Sequence, residues 1–489
     1  MSIRELEPQS LWNHFADLNA VPRPSKKEEK VIEFAKSFGE SLGLPTTVDA
    51  VGNVIIKKPA TPGMEDRTPI VMQSHLDMVC QKNNDTEFDF DTQGIEMLID
   101  GDFVKANGTT LGADNGIGVA TIMAILSSKD IPHPAIDALF TIDEETGMTG
   151  AMGLQGGLLE GKILLNLDTE EDNELTIGCA GGVDITLTGK YQPETAPGNS
   201  NCYSITVRGL KGGHSGMDIH LGRGNANKWM NRILWHLANA FPIQIHAIDG
   251  GGLRNAIPRE SVAVVSIPES SSSTFREIIE AQKAELLSEY ASTDPDAGLA
   301  VENAESVSDG LPAEFQHKLL SLLYTCPNGI FRMSPDIEDL VQTSNNLARV
   351  HVANGEVQIG CLTRSSVNSE RDDLANAISS TFLMLADGLQ DREISFGGKY
   401  PGWAPLPDSK IVQLMSRLYE ELFSEKPHVA ACHAGLECGI LGRNYPEMEM
   451  ISFGPNIRGA HSPDEKVQIS SVQKFWKYLL ETLKQIPVA

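Results

Sequence analysis

The hydrophobic positions in the first part of the chain alternate between two periods. In VIEFAKSFGESLGL, the apolar residues Val31, Phe34, Ala35 and Phe38 share one face of a predicted helix. PIVMQSH, AIDALFTID and KILLNLD are short apolar runs that predict buried strands, and NGIGVATIMAILSS predicts another helix. This alternation favours an α/β domain with a mostly parallel sheet and helices on both of its faces.

The pattern changes near GCAGG and continues as two passages of strand, helix, strand, strand and helix. The first passage contains CYSITVRG, IQIHAID and SVAVVSI, and the second contains GLAVENAES, LARVHVAN and VQIGCLTR. We expect an inserted α+β lid domain at 182–398, made of two βαββα-like halves at about 182–295 and 296–398. Residues 1–181 and 399–489 would then form one catalytic, metal-binding domain that the lid interrupts.

The Gly- and Pro-rich segment FGGKYPGWAPLP (Phe396–Pro407) predicts the linker back into the first domain. After it, apolar residues at helical spacing predict a helix from about Ile411 to Leu422. A last helix is predicted from near Ser470. The simplest topology is one α/β domain with a long insertion.

Histidine and acidic side chains follow three of the predicted strands where each one ends. PIVMQSH ends in His75, and in an extended chain Asp77 points to the same side two residues later. AIDALFTID continues into Glu144 and Glu145, and KILLNLD ends in Asp168. In open α/β sheets, binding sites form beyond the carboxyl ends of the strands. One polar strand end is commonplace, but three ends with metal-ligand residues favour a metal site.

Two loops contain further candidates. Asp114 in TTLGADNGIGVA precedes a predicted helix, where an N-cap is the ordinary role of an aspartate. The glycines beside it match no phosphate-binding motif, and they suit a backbone that passes close to a crowded acidic centre. His461 in GAHSPDE is a second candidate imidazole, although most loop histidines bind no metal.

These residue types suit one particular chemistry. Two histidines and three carboxylates can hold a pair of Zn²⁺, Mn²⁺ or Co²⁺ ions. A carboxylate shared by both ions can keep them about 3.5–4 Å apart, the spacing of two-metal hydrolytic sites. In an extended chain Glu144 and Glu145 face opposite ways, so one can bind metal while the other faces a substrate. Asp77 can then fix the orientation of the His75 ring.

Composition excludes several classes of partner. The 66 acidic and 39 basic side chains give a net charge of −27, which repels nucleic acid and anionic membranes. The longest apolar run, IGVATIMAIL, is far shorter than the about 20 residues that cross a bilayer. The amino terminus has no apolar core of the signal-peptide type, and the 7 scattered cysteines favour reduced thiols. We therefore expect a cytoplasmic protein.

Several motifs make the chain resemble one known family. They are SHLDM, GTTLGADNGIG, DEETGMTGA, NLDTEE, GLKGGHSG, LRNAIPRE, HAGLECG and GAHSPDE. The chain resembles the bacterial aminoacyl-histidine dipeptidases, also called cytosol non-specific dipeptidases. These belong to a wider group of dinuclear zinc peptidases that includes aminoacylases and succinyl-diaminopimelate desuccinylases. The motifs occur in the family's order over essentially the whole chain, with no departure at a site position.

The resemblance implies a metal centre with two Zn²⁺ ions per chain, or Co²⁺ or Mn²⁺ in their place. His75 and Asp168 would hold one ion, and Glu145 and His461 would hold the other. Asp114 would bridge the two ions.

The resemblance also implies three residues with catalytic roles. Asp77 would orient His75, and Glu144 would be the general base that takes a proton from the attacking water and gives it to the leaving amine. His214 in GGHSG, within the lid, would stabilise the developing oxyanion. The sequence pattern alone favours a simpler role for His214, as a turn residue among glycines.

Three further residues resemble the family's substrate-binding positions. Asn255 of LRNAIP and Arg364 of LTRSS would hold the substrate, with Arg364 able to bind a carboxylate through two hydrogen bonds. Glu437 of HAGLECG would pair with a free α-amine. Without the resemblance, Arg364 is as readily a surface residue and Glu437 the start of a helix.

The implied function is hydrolysis of Xaa-His dipeptides, such as β-Ala-His, and of broader unblocked dipeptides. The doubled lid and HAGLECG favour it over the nearest alternative, an N-acyl amino acid amidohydrolase of the same group. The other alternative is a non-catalytic binding protein that kept the fold. Whether the chain forms a homodimer, and whether His214 acts in its own chain or in a partner, stay open.

Overall fold

The computed structural model describes residues 2–196 and 200–489. Its strands are β1 (Thr46–Val48), β2 (Val54–Lys58), β3 (Ile70–His75), β4 (Met97–Asp100), β5 (Phe103–Ala106), β6 (Ile136–Thr141), β7 (Ile163–Asn166), β8 (Glu174–Cys179), β9 (Gly181–Lys190), β10 (Glu194–Thr195), β11 (Ser200–Arg208), β12 (Gln244–Gly251), β13 (Ser261–Pro268), β14 (Gly298–Asn303), β15 (Asp309–Gly310), β16 (Gly329–Met333), β17 (Val341–Ala353), β18 (Glu356–Ser365), β19 (Gln390–Tyr400), β20 (His428–Cys432), β21 (Glu449–Ser452), β22 (Ile457–Arg458) and β23 (Lys466–Gln468). Its α-helices are α1 (Gln9–Asn19), α2 (Glu29–Ser41), α3 (Ala113–Ser127), α4 (Thr149–Gly153), α5 (Ala226–Ala240), α6 (Ser272–Glu289), α7 (Ala313–Thr325), α8 (Asn368–Ala386), α9 (Lys410–Phe423), α10 (Glu437–Asn444) and α11 (Ile469–Gln485).

The chain divides into two units. The first contains Met1–Cys179, Trp403–Ala431 and Leu436–Ala489. The second contains Ala180–Gly402 together with the short piece Cys432–Gly435. The sequence pattern does not foresee that this short piece joins the second unit.

The first unit is built on an eight-stranded sheet in the order β1-β2-β6-β3-β7-β21-β8-β20. Its centre is parallel, because β3 pairs in parallel with both β6 and β7, and β7 pairs in parallel with β21. Antiparallel pairs follow on both sides, β2 with β6 and β21 with β8. Every residue of β3, β6 and β7 is buried, which explains why these strands are mostly apolar and show no alternation of apolar and polar residues. The predicted α/β class is confirmed.

The predicted helices of the first unit are present. In α3 nearly every side chain is buried, which accounts for its uniformly apolar sequence. Helices α9 and α11 each bury one apolar stripe, which includes Met415 and Leu418 in the first and Phe475 and Leu479 in the second. Within the described ranges, every helix is too short or too polar to cross a membrane.

The second unit contains a nine-stranded antiparallel sheet. Its path is β14-β11-β13-β12-β17-β18-β9-β19, and β16 pairs with β17 beside this path. Helices α5 and α8 pack on the sheet, α5 against β11, β13 and β17, and α8 against β9 and β18. Buried side chains between helices and sheet, such as Trp229, Leu234 and Phe382, form the core of this unit.

The strand pairing crosses the predicted boundary between two lid halves. β14, which the sequence pattern assigns to the second half, pairs with β11 of the first half along its whole length. β18 pairs on one side with β17 of its own predicted half, and on its other side with β9 at the start of the unit. A local hydrophobic pattern identifies a strand but not its partner, because partners are set by long-range hydrogen bonds. The division into two similar halves stays a prediction.

The predicted linker at Phe396–Pro407 is wrong in its first part. Residues 396–400 belong to β19, which pairs with β9 at the edge of the second unit's sheet. The register shifts between Gly397 and Tyr400, and Gly398 has a φ of 53° in this irregular stretch. Glycines here accommodate a bulged edge strand, and its exposed side chains leave no apolar pattern to reveal it.

Candidate metal centre

The site of the first unit lies at the carboxyl ends of three adjacent strands. β3 runs parallel to both β6 and β7, so the three strands end at the same edge of the sheet. His75 is the last residue of β3, and Asp168 follows β7 by two residues. Glu144 and Glu145 follow β6 at the same edge. The sheet therefore brings together the strand-end residues that the sequence identifies.

The Asp114 carboxylate lies between two imidazoles. Its Oδ1 atom is 3.2 Å from His75 Nε2, and its Oδ2 atom is 3.2 Å from His461 Nε2. His75 Nε2 is also 3.5 Å from Asp168 Oδ1. His461 Nε2 is also 3.0 Å from Glu145 Oε2. The five candidate ligands thus form two groups that share Asp114.

The residues present fit divalent metal ions. Asp168 Oδ1 and Glu145 Oε1 are buried and accept no hydrogen bond from the described part of the chain. Leaving such oxygens unpaired in the interior costs free energy, and a cation would offset that cost. His75, Asp114 and Glu145 offer ligand atoms that all lie within 4.8 Å of one another. Imidazole nitrogen and carboxylate oxygen are ligands of Zn²⁺, Mn²⁺ and Co²⁺.

The charges at this site are strongly coupled to their surroundings. Burial raises the pKa of Asp168 to about 6. Burial acts in the same direction on Asp114, but hydrogen bonds with His461 and His75 outweigh it and lower the pKa of Asp114. Hydrogen bonds with Asp114 and Glu145 raise the pKa of His461 to about 11. The site therefore concentrates negative charge, which favours positive charge on the neighbouring imidazoles or on bound cations.

Asp77 connects the His75 ring to the turn that follows β6. Its carboxylate Oδ1 is 3.4 Å from His75 Nδ1, and its backbone carbonyl oxygen is 3.1 Å from the same nitrogen. The carboxylate also accepts hydrogen bonds from the backbone N–H groups of Glu144 at 3.0 Å and Glu145 at 3.3 Å. One side chain thus holds both a candidate ligand and the candidate base.

Glu144 and Glu145 lie in a turn, which corrects the expected extended chain. Asp143 before them has a φ of 52°, and its carboxylate accepts a hydrogen bond from the Thr149 hydroxyl at 2.7 Å. The opposite directions expected from extended geometry therefore do not apply. Burial raises the pKa of Glu144 well above its ordinary value, and the negative charges of Asp168 and Glu437 add to this effect.

The N-cap role considered for Asp114 is excluded. Gly112, with a φ of 69°, is the N-cap of α3, and no side chain there makes a local capping hydrogen bond. Asp114 and Asn115 have non-helical backbone angles, and the peptide bond between them is cis. Asn115 Nδ2 donates to the carbonyl oxygen of Leu167 at 2.6 Å. The contacts of the Asp114 carboxylate are with the rings of His75 and His461 and not with its own helix.

The glycines of this loop pack against a buried arginine. A Cβ at Gly112 would collide with Arg23 Nη2, and a Cβ at Gly116 would lie 2.7 Å from the same atom. The sequence predicts that these glycines lie close to acidic side chains. At Gly112 and Gly116 the nearest group is instead the guanidinium of Arg23. The sequence pattern gives no indication of this role, because Arg23 lies in a short proline-containing segment, VPRPS, without a motif.

Glu437 is buried in the first unit at the start of α10, so the helix-start interpretation is confirmed. Its Oε2 accepts hydrogen bonds from Gln73 Nε2 at 2.6 Å and from the Thr141 hydroxyl at 2.7 Å. Burial raises its pKa to about 7. Pairing with a substrate α-amine stays a prediction, and only Oε1 lacks a hydrogen bond from the described residues.

The remaining predicted residues belong to the second unit. Arg364 is only 4% exposed, so it is not a surface arginine. Its Nη1 donates to the Tyr400 hydroxyl at 2.8 Å, and its Nη2 is 3.5 Å from His214 Nε2. Asn255 is exposed, and its carbonyl oxygen accepts a hydrogen bond from the Ser215 N–H at 2.7 Å. His214 and Arg364 are therefore neighbours.

The hydrogen bonds of His214 define its tautomer. Its Nδ1 accepts the backbone N–H groups of Gly216 at 3.2 Å and Met217 at 3.0 Å, so Nε2 carries the proton. Burial, with the charge of Arg364, lowers the pKa of His214 to about 4. The imidazole is thus neutral near pH 7, and its Nε2–H faces the same space as Arg364 Nη2.

His433 is a neighbour of this pair that the sequence pattern did not single out. Its Nε2 is 2.8 Å from the Ser344 hydroxyl, and its carbonyl oxygen packs against Gly216. Burial and the charge of Arg364 lower its pKa to about 3. The sequence signal that could have identified His433 is its position as the first residue of the motif HAGLECG.

Comparisons with known proteins agree along nearly the whole chain. The family model described as Peptidase family M20/M25/M40 matches residues 71–485. The chain is 41% identical over 485 residues to the cytosol non-specific dipeptidase of Escherichia coli (strain K12), with 99% of each chain covered. The crystal structure of aminoacylhistidine dipeptidase from Vibrio alginolyticus is 42% identical with a TM-score of 0.94, covering 100% of this chain and 99% of that one. A Staphylococcus aureus tripeptidase at 15% identity and a TM-score of 0.61, covering 98% of this chain and 99% of that one, shares the fold.

Removing the positive charge of Arg364 should raise the pKa of His214. We expect Arg364→Met to move the His214 titration upward from about 4, although burial keeps it below the ordinary value of 6.5. Histidine NMR as a function of pH measures this shift. Arg349→Met, which removes an arginine paired with Asp249 elsewhere in the second unit, should leave it unchanged. An unaltered His214 titration in Arg364→Met would contradict the conclusion that the charge of Arg364 lowers the pKa of His214.

Proposed function

Because the chain belongs to Peptidase family M20/M25/M40, we propose that it is a metal-dependent dipeptidase that hydrolyses unblocked dipeptides. The proposed substrates include Xaa-His dipeptides such as β-Ala-His. One observation carries the proposal. The Asp114 carboxylate directs one oxygen to each of two histidines, and each histidine has a second carboxylate beside it. The substrate class is supported by the similarity to the cytosol non-specific dipeptidase of Escherichia coli and the aminoacylhistidine dipeptidase of Vibrio alginolyticus.

Two Zn²⁺ ions are the proposed metals, with Co²⁺ or Mn²⁺ as alternatives. His75 and Asp168 would hold one ion, Glu145 and His461 the other, and Asp114 both. When bound, such ions polarise the scissile carbonyl and lower the pKa of water at the site. Two buried oxygens support this assignment: Glu145 Oε1 accepts no hydrogen bond from the described residues, and Asp168 Oδ1 has only the His75 ring nitrogen near it, at 3.5 Å.

Glu144 is the proposed general base. Burial raises its pKa, which strengthens it as a proton acceptor. It would take a proton from the attacking water and later deliver it to the leaving amine. The hydrogen bond from its N–H to Asp77 ties its turn to His75, so the base has a fixed position.

His214 and Arg364 are the proposed residues for the substrate's oxygen atoms. Both present hydrogen-bond donors, and donors 3.5 Å apart attract an oxygen acceptor between them. We assign the neutral Nε2–H of His214 to the developing oxyanion and Arg364 to the C-terminal carboxylate. Asn255, on the loop that pairs with the segment around His214, would add a contact to the substrate.

A cytosolic location is also proposed, as the name of the Escherichia coli relative indicates for that protein. The net charge of −27 supports the absence of nucleic-acid and anionic-membrane partners, because such polymers and surfaces repel an acidic protein.

A panel of blocked and free dipeptides tests this function. Ala-His and β-Ala-His should be cleaved, and N-acetylated or C-amidated forms should lose about tenfold to a hundredfold in kcat/KM, since each blocked end removes a charge-assisted hydrogen bond. Chelator-treated protein should be inactive and should recover with Zn²⁺, Co²⁺ or Mn²⁺. Equal cleavage of blocked and free peptides would reject recognition of both termini. Preference for N-acetyl amino acids would identify an amidohydrolase instead.

The Glu144→Gln variant separates the base from the metal ligands. It should keep wild-type metal content, measured by inductively coupled plasma mass spectrometry. Its kcat should fall about 10²–10⁴-fold, because no carboxylate remains at this position to accept the proton of the attacking water. Asp114→Asn is the matched comparison, and it should lose both metal and activity. Near-normal turnover by Glu144→Gln would remove this residue as the base.

A further inference from the structure

We propose that Glu465 is a positioning residue of the metal centre, whose carboxylate fixes the backbone that carries Asp114 against the loop that carries His461. The inference rests on the proposed two-metal site and deepens it. Glu465 itself would touch neither metal nor substrate. It would act through the geometry of two ligands.

The Glu465 carboxylate accepts four consecutive backbone N–H groups at the start of α3. Oε2 accepts from Leu111 at 2.7 Å and from Gly112 at 2.9 Å. Oε1 accepts from Ala113 at 2.7 Å and from Asp114 at 3.2 Å. Groups at a helix start otherwise need a cap, and no local side chain supplies one here. Both oxygens are therefore committed to the backbone, so a ligand role is excluded.

The same short segment holds Glu465 and His461. Within it, the N–H of Ser462 donates to the carbonyl oxygen of Gly459, and that of Glu465 donates to that of Ser462. β23 begins at the next residue and pairs with β5, which precedes the Asp114 loop in the chain. His461 and Asp114 are 347 residues apart in sequence. Glu465 is thus a direct connection between two distant ligand loops.

Arg23 holds the opposite side of the same loop. Its Nη2 donates to the carbonyl oxygen of Gly112 at 2.6 Å, so the N–H and C=O groups of Gly112 bind opposite charges. Its Nη1 donates to the carbonyl oxygens of Leu76 at 3.1 Å and Asp77 at 3.2 Å, just after His75. Arg23 and Glu465 are 1% and 2% exposed. Together they connect the Asp114 loop to the segment that carries His75 and to the segment that carries His461.

A glutamine cannot replace this carboxylate. Its amide has one acceptor oxygen, and its NH₂ group would face two N–H donors. Aspartate keeps the charge but is one methylene shorter, so it cannot reach all four groups. Both substitutions should release the Asp114 backbone while leaving every metal-binding side chain in place.

Metal affinity tests the inference directly. Chelator competition on Glu465→Gln and Glu465→Asp should show Zn²⁺ affinity lowered about 10–100-fold, the usual effect of losing a residue that orients ligands. The absorption spectrum of the Co²⁺-loaded variants should also change, because ligand geometry sets it. At saturating metal, part of the lost kcat should return in Glu465→Asp.

Asp49→Asn is the matched control. Asp49 also accepts three consecutive backbone N–H groups, from Val51, Gly52 and Asn53, in a loop of the first unit that carries no candidate ligand. This variant should lower Tm and leave metal affinity and the Co²⁺ spectrum unchanged.

Wild-type metal affinity and spectrum in either folded Glu465 variant would overturn the positioning role and leave the proposed function intact. If Glu465→Gln does not fold, Glu465→Asp decides the question. A wild-type chain that takes up no divalent metal would overturn the proposed function, and the positioning role with it.

Discussion

The structure of the site depends on one carboxylate shared by two imidazoles. Asp114 lies in a buried region with Asp168 and Glu145, and so many carboxylates in the interior repel one another and are costly to leave without cations. His75 and His461 approach opposite oxygens of Asp114, which sets two places for positive charge side by side. The other features of the site serve this arrangement.

The surrounding fold holds the charged side chains of the site close together, although their like charges repel. Parallel strands β3, β6 and β7 deliver His75, Asp168 and the Glu145 turn to one edge of a fully buried sheet centre. Their positions are then fixed by side chains that bond to backbone groups, with Asp77 holding the turn after β6 and Glu465 holding the start of α3. Fixed dipoles and charges of this kind are what a hydrolytic site requires, because they need no reorganisation during the reaction.

Local pattern predicts much of this molecule, and its failures have a common cause. β3, β6, β7 and α3 are recognisable because burial on all sides leaves apolar runs, and the candidate ligand residues follow at strand ends. The turn at Glu144–Glu145, the pairing of β14 with β11 and the strand at residues 396–400 depend on hydrogen bonds between distant segments. Arg23 and Glu465 escape detection for the same reason, since their partners are backbone groups far away in sequence.

Anomalous diffraction from crystals grown with Zn²⁺ tests the central claim most directly. Data collected on either side of the zinc edge should show two peaks about 3.5–4 Å apart, one on each side of the Asp114 carboxylate. One peak should lie beside His75 and Asp168, and the other beside Glu145 and His461. A single peak, or peaks that do not touch Asp114, would contradict a shared carboxylate at the heart of the site.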